Sequence, residues 1–169
     1  STPLYSSAAS DVYKRQLAYC TDNNYFGHCY NKPRNLGFRE AMEDNGLAIR
    51  EEWIFNNIHT IEDGEKVAEI LLHEEVLPDA IFAGSDEVAL GLIHYMTEHH
   101  IEVPEQIAIM GYDNQPISSL IKISLSTVNQ PVNAIGKQLI ECLLAILEDT
   151  EFTINDEILK LDIVERQST

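Results

Sequence analysis

The stretch PDAIFAGSDEVALGLI, residues 78–93, decides the fold class. AIFA at 80–83 is a short apolar run of the kind that fills a buried parallel strand. Ser85 after it is a good helix N-cap, and Asp86 and Glu87 put carboxylates in the first helical turn, beside unsatisfied backbone N–H groups. Val88, Leu92, Tyr95, Met96 and His99 then lie along one helix face. A strand, a tight turn and a capped helix make up half of a β-α-β unit.

The same alternation extends to both sides. Upstream, LAYC at 17–20 reads as a strand, followed by the polar loop TDNNYFGHCYNKP. A helix starting near Arg34 carries Leu36, Ala41 and Met42 and ends at Gly46. EEWIF at 51–55 reads as the next strand, and IEDGEKVAEILLHEE at 61–75 as a helix with Val67, Ile70, Leu71 and Glu74 at helical spacing. Downstream, IAIMG at 107–111 is another buried strand, and LSTV follows a loop rich in Asn, Gln, Pro and Ser. Pro131 opens a long helix with the stripe Ile135, Leu139, Cys142, Leu143 and Ile146. EILKLDIV alternates apolar and charged side chains, as a half-exposed strand at a sheet edge should. The expected class is α/β, built around a mostly parallel sheet. Residues 1–16, STPLYSSAASDVYKRQ, show no clean period and read as a tail, disordered or foreign to the rest.

Composition narrows the function. The 169 residues hold 11 Lys and Arg against 28 Asp and Glu, a formal net charge of -17, which repels phosphate backbones and anionic membranes. Direct DNA or membrane binding by this chain is therefore not expected. No apolar run is long enough to span a bilayer and no secretory signal is visible, so a cytoplasmic location is expected. Three cysteines, Cys20, Cys29 and Cys142, argue against a disulfide framework, and the Cys20, His28 and Cys29 spacing fits no familiar zinc template. Neither a metal nor a cofactor is expected. A phosphate-cradling glycine loop, a G-x-S-x-G elbow and a nucleophile–base pair are all missing, which argues against an enzyme.

Open α/β sheets bind ligands at the carboxyl ends of their strands. Asp22 and Asn23, Ser85 and Asp86, and Tyr112, Asp113 and Asn114 follow three of the strands. Carboxylates and amides beside the cation of Arg34 suit the vicinal hydroxyls of a sugar or nucleoside, and Tyr25, Phe26, Tyr30 and Trp53 could offer aromatic faces. Each group also has a structural alternative: Ser85 and Asp86 as helix caps, Asp113 and Asn114 as turn formers, Arg34 as a solvated helix start.

Four blocks in order, PDAIFAGSDEVALGLI, IEVPEQIAIMGYDNQP, LSTVNQPVNAIGKQLIECLL and LDIVERQST, together with PRNLGFREAM, resemble the effector-binding domain of the LacI/GalR family of transcriptional regulators from Leu17 onward. The resemblance implies a three-layer, periplasmic-binding-protein-like (type I) lobe with an incomplete second lobe. Residues 17–129 and 156–169 would form the C-terminal lobe, and the helix at 131–148 would belong to the other lobe. That helix is expected to pack on a second chain or to fold back over the lobe. The resemblance also implies that Arg34, Ser85, Asp86 and Asp113 line the effector cleft, with Gln130 near the crossover between lobes. Ser85 stands where the family often has Asn, and a hydroxyl cannot make an amide's paired contacts. The implied partners are a sugar-like effector, a second copy in a homodimer, and DNA through a helix-turn-helix head outside this sequence. A sugar-binding protein of a transport system is the alternative.

Overall fold

The computed structural model describes residues 16–21, 32–153 and 160–169. The strands β1 (Leu17–Thr21), β2 (Ile54–Asn56), β3 (Ala80–Ala83), β4 (Ala108–Asp113), β5 (Ser126–Asn129) and β6 (Asp162–Val164) form one sheet in the order β2-β1-β3-β4-β5-β6. All neighbouring pairs are parallel except β5 with β6, which runs antiparallel at the edge. The expected α/β class and an edge strand are what the structure contains, but of the expected strand EILKLDIV only Asp162–Val164 is strand among the described residues, with Lys160 and Leu161 outside it.

Helices α1 (Lys32–Asp44), α2 (Ile61–Leu72) and α3 (Asp86–Glu98) alternate with the first strands, and α4 (Val132–Leu147) follows β5. Ala18, Cys20, Ile81, Ala83 and Ile109 from the sheet meet Val67, Leu71, Val88, Leu92 and Met96 from α2 and α3 in one buried cluster. On the other face Tyr19 stacks between Phe38 of α1 and Phe82 of β3, with centroids 5.0 and 5.4 Å away. Alternate residues of β1 thus serve opposite faces, as the pleat requires.

α2 and α3 approach so closely that a Cβ on Gly64 would collide with the Val88 carbonyl, and one on Gly91 with the Ile61 carbonyl. Two facing glycines let the helix backbones touch. Both helices have side-chain caps. Thr60 accepts from the Asp63 amide at 3.1 Å and Asp63 reaches back to the Thr60 amide, a capping box; Ser85 accepts from the Val88 amide at 3.3 Å.

Several expectations are corrected. Glu51–Trp53 is a 3-10 turn and only Ile54–Asn56 is strand, because Trp53 turns its indole into the core beneath the Arg50 guanidinium, which lies 4.5 Å from the ring. Burying the Trp53 side chain outweighs continuing the strand alternation. In α2 the sunk residues are Gly64, Val67, Ala68 and Leu71, while Ile70 is exposed. In α3 Ala89 and Ile93 join Val88, Leu92 and Met96 inside, while His99 lies outside against Tyr95. In α4, Leu139, Leu143 and Ile146 of the expected stripe are exposed, while Ile135 and Cys142 are half-buried and Gln138 and Ala145 buried. Gln16, expected to be part of a loose tail, donates its amide to Asp79 Oδ2 at 2.8 Å and accepts from the Asp79 amide, so it is tied to the lobe.

Candidate functional site at the carboxyl edge of the sheet

The parallel strands all end on one side, and the loops leaving β3, β4 and β5 meet there with the start of α1. Arg34, in the first turn of α1, donates from Nη1 to the Gly84 carbonyl at 3.0 Å, and its guanidinium lies 4.7 Å above the Tyr112 ring. Anchored by that carbonyl and the ring face, the cation stays at the sheet edge.

Asp113, the last residue of β4, has φ 110, and Asn114 has φ 52. Two successive residues with positive φ turn the chain sharply out of the strand. The Asp113 carboxylate accepts a short hydrogen bond from Gln130 Nε2, which joins two predicted site residues directly. Partial burial pushes the Asp113 carboxyl above its ordinary value; the Gln130 bond opposes this, Asp86 adds to it, Arg34 opposes it and Glu87 adds to it. A carboxylate that accepts one amide donor keeps accepting capacity for a ligand hydroxyl.

Asp86 takes a different position. It is fully buried, and its two oxygens accept from the Gln115 amide at 2.7 Å, the Ser118 hydroxyl at 2.5 Å and the Thr127 hydroxyl at 2.6 Å. Gly111 makes the room, since a Cβ there would strike Asp86 Oδ1. Asp86 therefore ties α3 to the loop after β4 and to the start of β5, beneath the edge. Ser85 caps α3 at the edge itself.

Four of the five expected site residues, Arg34, Ser85, Asp113 and Gln130, lie along one edge, with Asp86 under them. Trp53 belongs to the core and is removed from the aromatic candidates. Asp22, Asn23, Tyr25, Phe26, His28, Cys29 and Tyr30 lie outside the described residues. Cys20 is fully buried and its thiol is pushed up to about 12 by that burial, so it offers no thiolate. Among the described residues no group of three or more His, Cys, Asp or Glu side chains could hold a metal ion. Reading the sequence missed Asn129, which accepts from Asn114 Nδ2 at 2.9 Å, and Arg166, which donates from Nη2 to Asn114 Oδ1 at 2.7 Å. Asn129 closes β5, and its place at a strand end was a signal; nothing local marked Arg166.

Residues 14–169 match the periplasmic binding protein-like domain, starting three residues before the point where the sequence resemblance begins. The NTD biosynthesis operon regulator NtdR of Bacillus subtilis is 33% identical over 160 residues, covering 92% of this chain and 47% of that protein. The chain belongs to the LacI/GalR family. Catabolite control protein A of Priestia megaterium is 34% identical over 135 residues, 79% of this chain and 40% of that protein. A LacI family transcriptional regulator from Lactobacillus casei, solved with bound glucose, superposes with a TM-score of 0.82 at 34% identity, over 92% of this chain and 57% of that one. The same regulator with bound sucrose gives 0.83 over the same shares. This LacI-family chain thus spans about half the length of the relatives it matches.

Proposed function

We propose that this chain is the ligand-sensing part of a LacI-type transcriptional regulator, binding a small sugar-like effector at the carboxyl edge of the sheet. The observation that carries the reading is the convergence of Arg34 with the Asp113–Gln130 pair at that edge. Arg34 and Asp113 would hold vicinal hydroxyls, Tyr112 and Ser85 would flank them, Gln130 would orient Asp113, and Asp86 would support the floor. The sugars bound by the Lactobacillus casei regulator support this chemistry.

The whole protein would act as a homodimer. Its DNA contact would lie in a separate segment, because the charge of -17 opposes DNA binding by this one. The effector would favour one arrangement of the lobes over another and so change DNA affinity, which requires differential affinity of the effector for the two arrangements. The regulators among its relatives favour this role, carried out in the cytoplasm and without catalysis, over transport. Among the described residues no helix is long and apolar enough to cross a membrane.

The test is a thermal-shift screen of the whole natural protein against glucose, sucrose and other neutral sugars, alongside Arg34→Ala and Asp113→Asn. One sugar should raise Tm in the unsubstituted protein, and both substitutions should weaken its binding by about 10-fold or more, as for loss of a hydrogen bond to a charged group. Stabilisation that survives both substitutions would move the site elsewhere.

A further inference from the structure

We propose that Arg166 is a positioning residue of the carboxyl-edge site: by holding the Asn114 side chain it fixes the left-handed turn that presents Asp113. The inference rests on reading that edge as the effector site. It starts from the backbone, because Asp113 and Asn114 both sit at positive φ without being glycine. Asparagine tolerates the left-handed region in which Asn114 sits, but Asp113 at φ 110 lies beyond it and persists only where its surroundings impose it.

Three groups hold the turn. The Asn114 amide N–H donates to Thr127 Oγ1 at 3.3 Å, its Nδ2 donates to Asn129 Oδ1 at 2.9 Å, and its Oδ1 accepts from Arg166 Nη2 at 2.7 Å. A guanidinium has only donors, so it compels the Asn114 carboxamide to turn its oxygen toward Arg166 and its nitrogen toward Asn129. Flipping that group would break both bonds at once. Asn129 directly precedes Gln130, the partner of Asp113, so the two sides of the site are locked in one circuit.

Arg166 is itself anchored: Nη1 donates to the Leu125 carbonyl at 2.5 Å and the Arg166 amide to Ser126 Oγ at 2.7 Å. Its neighbours fasten the segment further. Ser168 Oγ donates to the Ile109 carbonyl at 2.6 Å and accepts from the Ser126 amide at 2.8 Å. The stretch after β6 therefore links the bases of β4 and β5 to the turn at their far ends, and Arg166 is the member that reaches the turn.

Arg166→Gln shortens the side chain and removes the charge. NMR of the chain should show Asn114 side-chain N–H exchange accelerating about 10-fold or more, the effect of losing a charge-assisted bond. The Asp113 and Asn114 backbone couplings should shift toward averaged values while the Ile109 and Gly111 amides stay protected. In an Asn114→Ala background the same substitution should leave the Asp113 coupling unchanged. Arg166→Lys, which keeps a donor and the charge, should recover part of the Asn114 protection and serves if the Gln variant does not fold. Unchanged Asn114 exchange, or equal loosening throughout β4 and β5, would overturn the proposal. The affinity of the whole protein for the sugar that stabilises it should also fall about 10-fold or more in Arg166→Gln. An unchanged affinity with a loosened turn would overturn the link to the site. If no sugar binds the unsubstituted protein, the effector reading fails, while the exchange data still decide whether Arg166 holds the turn.

Discussion

Helices α3 and α4 are both apolar and amphipathic, yet their surroundings are opposite. In α3, Val88, Leu92 and Met96 are at most 1% exposed. In α4, Leu139 is 60%, Leu143 55%, Ile146 68% and Leu147 82% exposed. The capping differs too, since Ser85 caps α3 by its side chain while Pro131 gives α4 no side-chain cap. An apolar stripe therefore states which side of a helix avoids water; whether a partner is present to meet it is a separate fact. The chain spans about half the length of the relatives it matches.

The comparison can be broken most sharply by paired truncations. Leu92→Ala should cost roughly 2–5 kcal/mol in urea unfolding, the range for emptying a closed core site. Leu143→Ala in this chain should cost less than about 0.5 kcal/mol, as at an exposed position. Equal costs would mean that α4 is buried in solution, and in the whole natural protein the Leu143→Ala cost should rise toward that of Leu92→Ala.

Next in size is the helix crossing. Gly91→Ala should destabilise by roughly 1–3 kcal/mol, because its methyl meets the Ile61 carbonyl, which is backbone and cannot rotate away. Gly136→Ala in α4 has open space around its Cβ and should be neutral to stabilising in the same assay. A loss of stability there would put a neighbour against α4.

The smallest effect concerns the caps. Burial alone would raise the Asp63 carboxyl, but the amides of His59 and Thr60, the Lys66 ammonium and the Thr60 hydroxyl bring it down to about 2. Folding thus favours the ionised form. Its stabilisation is present above the ordinary value of 3.8 and is lost as pH falls through about 2. Asp63→Ala should cost about 1 kcal/mol near neutral pH, and the cost should vanish towards pH 2 in acid unfolding. A cost independent of pH would assign the effect to packing.

Much of this was legible before the structure. AIFA and the capped helix after it read correctly because strand, cap and stripe are local patterns, and the parallel sheet followed from their alternation. Arg34, Ser85, Asp113 and Gln130 stand out in the sequence because they lie at strand ends or in family-like blocks. The misreadings share one physical cause. Trp53, Ile70 and His99 obeyed a local period, but burial depended on where another element's surface lay. The burial of Asp86 and the reach of Arg166 were not legible because their partners, Thr127 and Asn114, lie 41 and 52 residues away.

The sequence by itself determined the α/β class, the caps, the family and most of the side chains at the carboxyl edge, because these follow from short-range periodicity and from residue types in order. Only the tertiary structure decided that Asp86 lies buried beneath the carboxyl edge, that Arg166 reaches Asn114, and that Leu139, Leu143 and Ile146 of α4 are exposed. Hydrogen bonds and apolar contacts between distant residues form where folding brings their backbones together, and no local pattern encodes that meeting.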